Sequence, residues 1–236
     1  MTDESEIISA IVKLRRRAQR LSAGALAPLV NWLAARGIRP DQITWAGFDL
    51  AVAAAVLAAF RLFILAGILF LLSGVADLVD GALARRAERV SDSGAFLDSL
   101  LSRGGEALLH VGAAVAFAWW GAWPGVLAVA LSLSGSHLTS YARAQAEALG
   151  IDLEEVWVGR GERLIVLSLG LILHFALIAF WVIAVASWAS AAHRAWLAHA
   201  RLTAGKPAES GTGAAPSPGE GDGKDKGKGD DTTASS

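Results

Sequence analysis

The 236-residue chain predicts an all-α integral membrane protein with six transmembrane helices, an N-terminal amphipathic interfacial helix and a disordered C-terminal tail. Three observations lead there. The composition is 54% hydrophobic and 18% charged, whereas a soluble domain carries about a quarter charged residues. The apolar residues gather in runs near the ~20 residues that a helix needs to cross ~30 Å of hydrocarbon. Finally, 20 of the 21 Lys and Arg fall on one side of the resulting topology, as the positive-inside bias requires.

Residues 1–40 make the interfacial segment. Within 7–34, Ile7, Ile8, Ile11 and Leu14 recur at helical spacing, and Lys13, Arg15, Arg16, Arg17 and Arg20 supply a charged face. The start is polar and then basic, unlike a cleaved signal peptide. Residues 41–203 form the membrane domain, with spans at 42–60, 62–82, 94–120, 122–146, 157–174 and 176–200. The last two share the apolar run Leu164 to Ala186, so a turn is expected near His174-Phe175. Seven Lys and Arg precede the first span, four surround the second-to-third connection, three the fourth-to-fifth, and six lie at or beyond the last. Only Arg61 falls opposite. Both termini are therefore expected in the cytoplasm, with the protein in the cytoplasmic membrane. Trp119, Trp120, Trp123, Trp157 and Trp196 sit near span ends, as an interfacial belt would. Residues 204–236 contain no Val, Ile, Leu, Phe or Trp, cannot offset the entropy of ordering, and are expected to be disordered.

Composition also excludes. With no Cys there is no disulfide scaffold, thiolate metal site or Cys nucleophile. A net charge of −1 offers no field to attract a nucleic acid.

The chemistry gathers in residues 74–106, GVADLVDGALARRAERVSDSGAFLDSLLSRGGE. Asp77 and Asp80 are three apart at the end of an apolar helix and face the same way. Gly81, Ala84 and Arg85 follow, and Gly94 and Asp98 open the next helix on one face. Taken singly, each Asp also suits a helix end beside an Arg. Together, three carboxylates inside a membrane domain are costly unless paired, solvated or bound to a cation, and oxygen donors suit Mg²⁺ or Mn²⁺. Asp49 is a further acidic residue within the first span, facing a polar cavity or lying near the interface if the span starts later.

The run Asp77-x-x-Asp80-Gly81-x-x-Ala84-Arg85, then Gly94-x-x-x-Asp98, resembles the signature of CDP-alcohol phosphotransferases. The resemblance covers roughly 40–202, including the six-span layout. It implies a divalent-metal-dependent transferase of phospholipid biosynthesis, moving a phosphatidyl-type group from a CDP-diacylglycerol-like lipid to an acceptor alcohol and releasing CMP. It assigns Asp77, Asp80 and Asp98 to metal, and places Gly81, Ala84, Arg85 and Gly94 around the CDP-lipid. A homodimer is expected on the same ground.

One position departs. The family pattern continues with a fourth Asp, the general base, where this chain has Ser102. A serine hydroxyl carries no charge and is a poor proton acceptor near neutral pH. Three readings follow: a slow or impaired relative that binds CDP-lipid or nucleotide in a regulatory or scaffolding role, substitution by Glu106 one turn further on, or loss of the acceptor's proton to water or to a metal-bound oxygen. Downstream, the run from Ser140 to Gly150 and Arg160-Gly161-Glu162-Arg163 are similar to the inositol-phosphate branch of the family. That similarity implies an anion pocket for the acceptor from Arg143, Arg160 and Arg163, with Arg194 or Arg201 as candidates to complete it. Gln145 stands where the branch has a second basic residue, which leaves the acceptor open.

Overall fold

The computed structural model describes residues 24, 26–87, 91–151, 153 and 159–204. Every regular element among them is a helix. They are α1 Leu26–Ala35, α2 Pro40–Ala59, α3 Phe63–Arg86, α4 Asp92–Trp119, α5 Trp123–Ala148, α6 Arg160–Ile172 and α7 Ala176–Ala204. The six helices from α2 onward overlap the six segments expected as spans. The expected amphipathic helix lies outside the described residues up to Ala23, and so does the tail from Gly205.

Turn chemistry sets the boundaries. At Gly37, φ is +72°, and the amides of Gly37 and Ile38 close back on Ala34 and Leu33. This ends α1 in a left-handed cap that glycine adopts without strain. Arg39 is then extended and Pro40 opens α2 at the first helical turn. The links after α2, α4 and α6 use the same cap, centred on Arg61, Gly121 and His174, all with positive φ. The last of these is the turn expected near His174-Phe175. Arg61 stacks 3.9 Å above the Trp120 ring, which brings the first two turns to one end of the bundle. Arg160 meets Asp77 at the opposite end. The described basic residues other than Arg61 thus collect where the helices are joined by longer links.

The six helices from α2 onward close into a ring in the order α2, α3, α6, α7, α5, α4. Small residues let them approach closely, as membrane helices do without a hydrophobic drive between them. Gly112 of α4 faces α2 so tightly that an added Cβ would stand 2.1 Å from the Ala55 carbonyl oxygen. The half nearer the tight turns is filled by Ala54, Ala58, Phe63, Phe70, Leu109, Ala113, Phe117, Leu171 and Phe180. The other half is lined inside by Glu106, His110, Ser132, Ser136, Thr139, Arg163, Ser187 and Arg194, all buried. The exterior is apolar: Val56, Leu65, Ile68, Leu72, Val111, Leu127, Ile165, Ile178 and Val185 are exposed. Helix α1 lies across the basic end, with Val30 and Leu33 packed on Val79 and Leu83 of α3.

Three helices, α2, α3 and Ala176–Thr203 of α7, are long and apolar enough to cross a membrane unaided. α4 is long but carries Asp92, Asp98, Arg103 and Glu106 in its first four turns or so. α6 has 13 residues against the 18 expected at 157–174, which gives it a length near 20 Å.

Candidate metal centre

Asp77 and Asp80 sit one turn apart near the end of α3, and Asp98 lies in the second turn of α4. One oxygen from each falls within 4.8 Å of the others. α2 and α6 fix the flanks. Thr44 Oγ1 donates to Asp80 Oδ2 at 2.7 Å, and the Arg160 guanidinium donates to Asp77 Oδ2. Asp98 Oδ1 is shielded from solvent without a hydrogen-bond partner. An orphaned carboxylate oxygen next to two further carboxylates is expensive. A hard divalent cation would relieve both the orphan and the repulsion, and the all-oxygen donor set suits Mg²⁺ or Mn²⁺. The residues present fit such an ion.

A cavity of about 310 Å³ opens beside the cluster. Pro40, Asp41 and Thr44 line it from α2, Asp80, Gly81, Ala84 and Arg85 from α3, and Ser91, Gly94, Ala95 and Asp98 from the start of α4. The sequence-marked Gly81, Ala84, Arg85 and Gly94 therefore share one cavity with two of the three aspartates. Arg85 folds back over Gly81, its Nη1 3.4 Å from where a Cβ would stand. Ser91 caps α4, its Oγ accepting from the Gly94 amide at 3.1 Å, so the positive end of the helix opens on the cavity. An acidic edge that wants a cation thus faces a basic edge that wants an anion.

On the far side of Asp77 is a void of about 10 Å³, bordered by Phe48, Asp77, Leu101, Ser102, Glu106, Arg160 and Leu164. That is room for about one water. Ser102 reaches the edge of the cluster, and its hydroxyl donates to the Ser99 carbonyl at 3.4 Å. Glu106 does not turn toward the aspartates. Arg163 Nε and Nη2 donate to its two carboxylate oxygens at 2.9 and 3.1 Å, and both residues are buried. One turn deeper, His110 lies 2.7 Å from the Glu106 carbonyl and 2.9 Å from Ser132 Oγ.

The arginines of the expected acceptor pocket are placed apart. Arg160 rests on Asp77, Arg163 is locked inside on Glu106, and Arg143 pairs with Glu147 at 2.7 Å. Arg160 and Arg163 lie one turn apart on the same side of α6, and the split is one of depth: Arg160 reaches Asp77 of α3 at the end of the bundle, and Arg163 reaches Glu106 of α4 further in. Arg194 is buried, with Nη1 donating to the Thr139 carbonyl at 2.9 Å, while Arg201 is exposed. Asp49 is exposed on α2, one turn from exposed Trp45. Sequence reasoning missed Thr44, Asp41 and Ser91 as parts of the site. Only Ser91, a residue of cap type ahead of an acidic first turn, carried a local signal.

A family model described as CDP-alcohol phosphatidyltransferase matches residues 38–197. Archaetidylinositol phosphate synthase of Pyrococcus horikoshii is 33% identical over 174 residues, covering 73% of this chain and 90% of that one. Among solved structures, phosphatidylinositol phosphate synthase of Mycobacterium tuberculosis with CDP-DAG bound is similar at TM-score 0.68 and 26% identity, over 76% of this chain and 94% of that one. The same enzyme in complex with manganese and citrate is similar at TM-score 0.68 and 27% identity, over 73% of this chain and 88% of that one.

Proposed function

As the chain belongs to the CDP-alcohol phosphatidyltransferase family and is an integral membrane protein, we propose that it transfers a phosphatidyl-type group from a CDP-lipid to an acceptor alcohol and releases CMP. The observation that carries this reading is the convergence of Asp77, Asp80 and Asp98 within 4.8 Å beside a cavity edged by Arg85 and the α4 N-terminus. The donor's cytidine end fits the space over Gly81 and Ala84, and Gly94 leaves room for the pyrophosphate at the head of α4. Its acyl chains stay against the apolar exterior. Mg²⁺ or Mn²⁺ held by Asp77, Asp80 and Asp98 would neutralise the pyrophosphate and the departing CMP.

The acceptor oxygen attacks the lipid-bearing phosphorus, the phosphorus–oxygen bond to CMP breaks, and the acceptor's proton leaves. Ser102 does not take that proton, and Glu106 is held by Arg163, so it passes to water. Arg143 and Arg160 are the cations assigned to an anionic group on the acceptor, the likeness to archaetidylinositol phosphate synthase supporting this choice. Arg163, fixed on Glu106, backs them by holding the start of α6. The cluster end of the bundle faces the cytoplasm in this reading, and the chain pairs as a homodimer. The serine at 102 favours a second reading, a catalytically impaired homologue that binds CDP-lipid.

The test is purified protein in nanodiscs with CDP-diacylglycerol, Mg²⁺ or Mn²⁺, and a panel of alcohols that includes inositol phosphate and glycerol phosphate. Metal-dependent CMP release with at least one acceptor is expected, reduced to background by Asp98→Asn. Measurable CDP-lipid binding with no CMP from any acceptor would instead establish the second reading.

A further inference from the structure

We propose that Arg103 binds the acceptor, closing with Arg160 on a phosphate monoester group that the acceptor alcohol carries. The inference deepens the transferase reading above and rests on it. Arg103 lies on α4 between Asp98 and Glu106 and is half-buried. Its Nη1 donates to the Ser99 carbonyl at 2.8 Å. Side chains on a helix lean toward its N-terminus, and this bond to the residue four back brings the guanidinium to the level of Asp98, beside the carboxylate cluster. Four charged groups act on it there: Asp98, Glu106, Arg160 and Arg163.

Neither carboxylate closes on it. Glu106 gives both oxygens to Arg163. Asp98 is five residues back on the same helix, about 140° round, so the two side chains leave α4 in different directions. Arg160 is itself paired with Asp77. Among the described residues, Arg103 therefore bonds only a neutral carbonyl, and it does so with two like charges close by. The preceding position, where a carboxylate would have stood next to it, is the neutral Ser102. A guanidinium left this way in a membrane domain is costly unless an anion joins it. The Ser99 bond takes one N–H and leaves the rest of the fork open, and such a fork matches two oxygens of a phosphate.

The cavities decide which anion this is. The CDP-lipid cavity has Arg85 as its arginine, and neither Arg103 nor Arg160 lines it. Arg160 and Ser102 border the opposite side of Asp77. The donor's pyrophosphate is thus served from one side of the cluster, while Arg103 and Arg160 stand on the other. An attacking hydroxyl approaches from that other side, because attacking and leaving oxygens lie roughly in line at phosphorus. A phosphate monoester on the same acceptor molecule then meets both guanidiniums.

Inositol phosphate and glycerol phosphate, titrated calorimetrically into the purified full-length protein in nanodiscs with Mg²⁺ present, test this beside a separate titration with short-chain CDP-diacylglycerol. The wild type should bind at least one of the two phosphate esters. Arg103→Gln should weaken that binding at least about tenfold, with CDP-diacylglycerol affinity and melting temperature held at wild-type values. Arg85→Gln should do the reverse, weakening CDP-diacylglycerol and sparing the ester. An Arg103→Gln variant that binds the esters like wild type, or that loses CDP-diacylglycerol instead, would overturn the assignment. Wild-type protein that binds neither ester would overturn it too. Failure of the transferase reading has a different signature: CDP-diacylglycerol and a phosphate ester both bound, and no CMP released.

Discussion

Glu106→Gln isolates the buried pair that ties α4 to α6. In the wild type, two charge-assisted hydrogen bonds of 2.9 and 3.1 Å join groups that are 4% and 3% exposed. The amide retains one acceptor for the guanidinium but loses the charge, leaving Arg163 buried and uncompensated. At an effective dielectric of ~20 two unit charges ~4 Å apart attract by about 4 kcal/mol, and breaking a buried pair from one side costs roughly 3–5 kcal/mol. For a domain of this size that lowers the melting temperature by on the order of 10 °C. With no Cys for thiol-reactive dyes, tryptophan fluorescence or size-exclusion recovery after heating is the suitable assay, with all variants compared at one scan rate. The double variant Glu106→Leu with Arg163→Met should recover most of the loss, since matched apolar groups replace a buried pair at little cost. A melting temperature within ~2 °C of wild type for Glu106→Gln, or a double variant equal to the sum of the singles, would refute the assignment of this pair as a structural clamp.

Three further outcomes are expected. Thr44→Val removes the 2.7 Å hydrogen bond that orients Asp80 and should weaken Mn²⁺ binding by at least ~10-fold; an unchanged titration curve would show that Asp80 needs no such support. Gly112→Ala drives a Cβ to 2.1 Å from the Ala55 carbonyl oxygen and should destabilise the bundle by about 1–3 kcal/mol, read as an earlier thermal transition; a melting temperature at or above wild type would mean α2 and α4 pack less closely. Ser102→Asp should raise the rate of CMP release if turnover is present, and an unaltered rate would mean that the base position lies elsewhere.

The helical plan was legible because its causes are local. A run of ~20 apolar residues has few alternatives in a bilayer, and Pro40, Gly37 and Gly121 mark their own turns. The aspartate cluster was legible for a similar reason. Asp77 and Asp80 share a helix face by periodicity, and the link to Asp98 is short enough that adjacent helices must bring them together. The short α6 was not, because an apolar run does not reveal where the chain enters the helix.

Sequence by itself thus determined the helical plan and the three aspartates, which follow from composition, period and short-range spacing, while the departure at Ser102 is visible only against the family pattern that the run resembles. Only the tertiary structure decided what the other charges do. Whether Glu106 meets the aspartates or Arg163, and whether Arg160 and Arg163 share a pocket, depends on the relative rotation of α3, α4 and α6. That rotation is set by close contacts between residues far apart in the chain, such as Gly112 on Ala55 and Thr44 on Asp80. A buried charge goes to the partner that such packing brings within ~3 Å, because elsewhere in a membrane interior it has no solvent to fall back on.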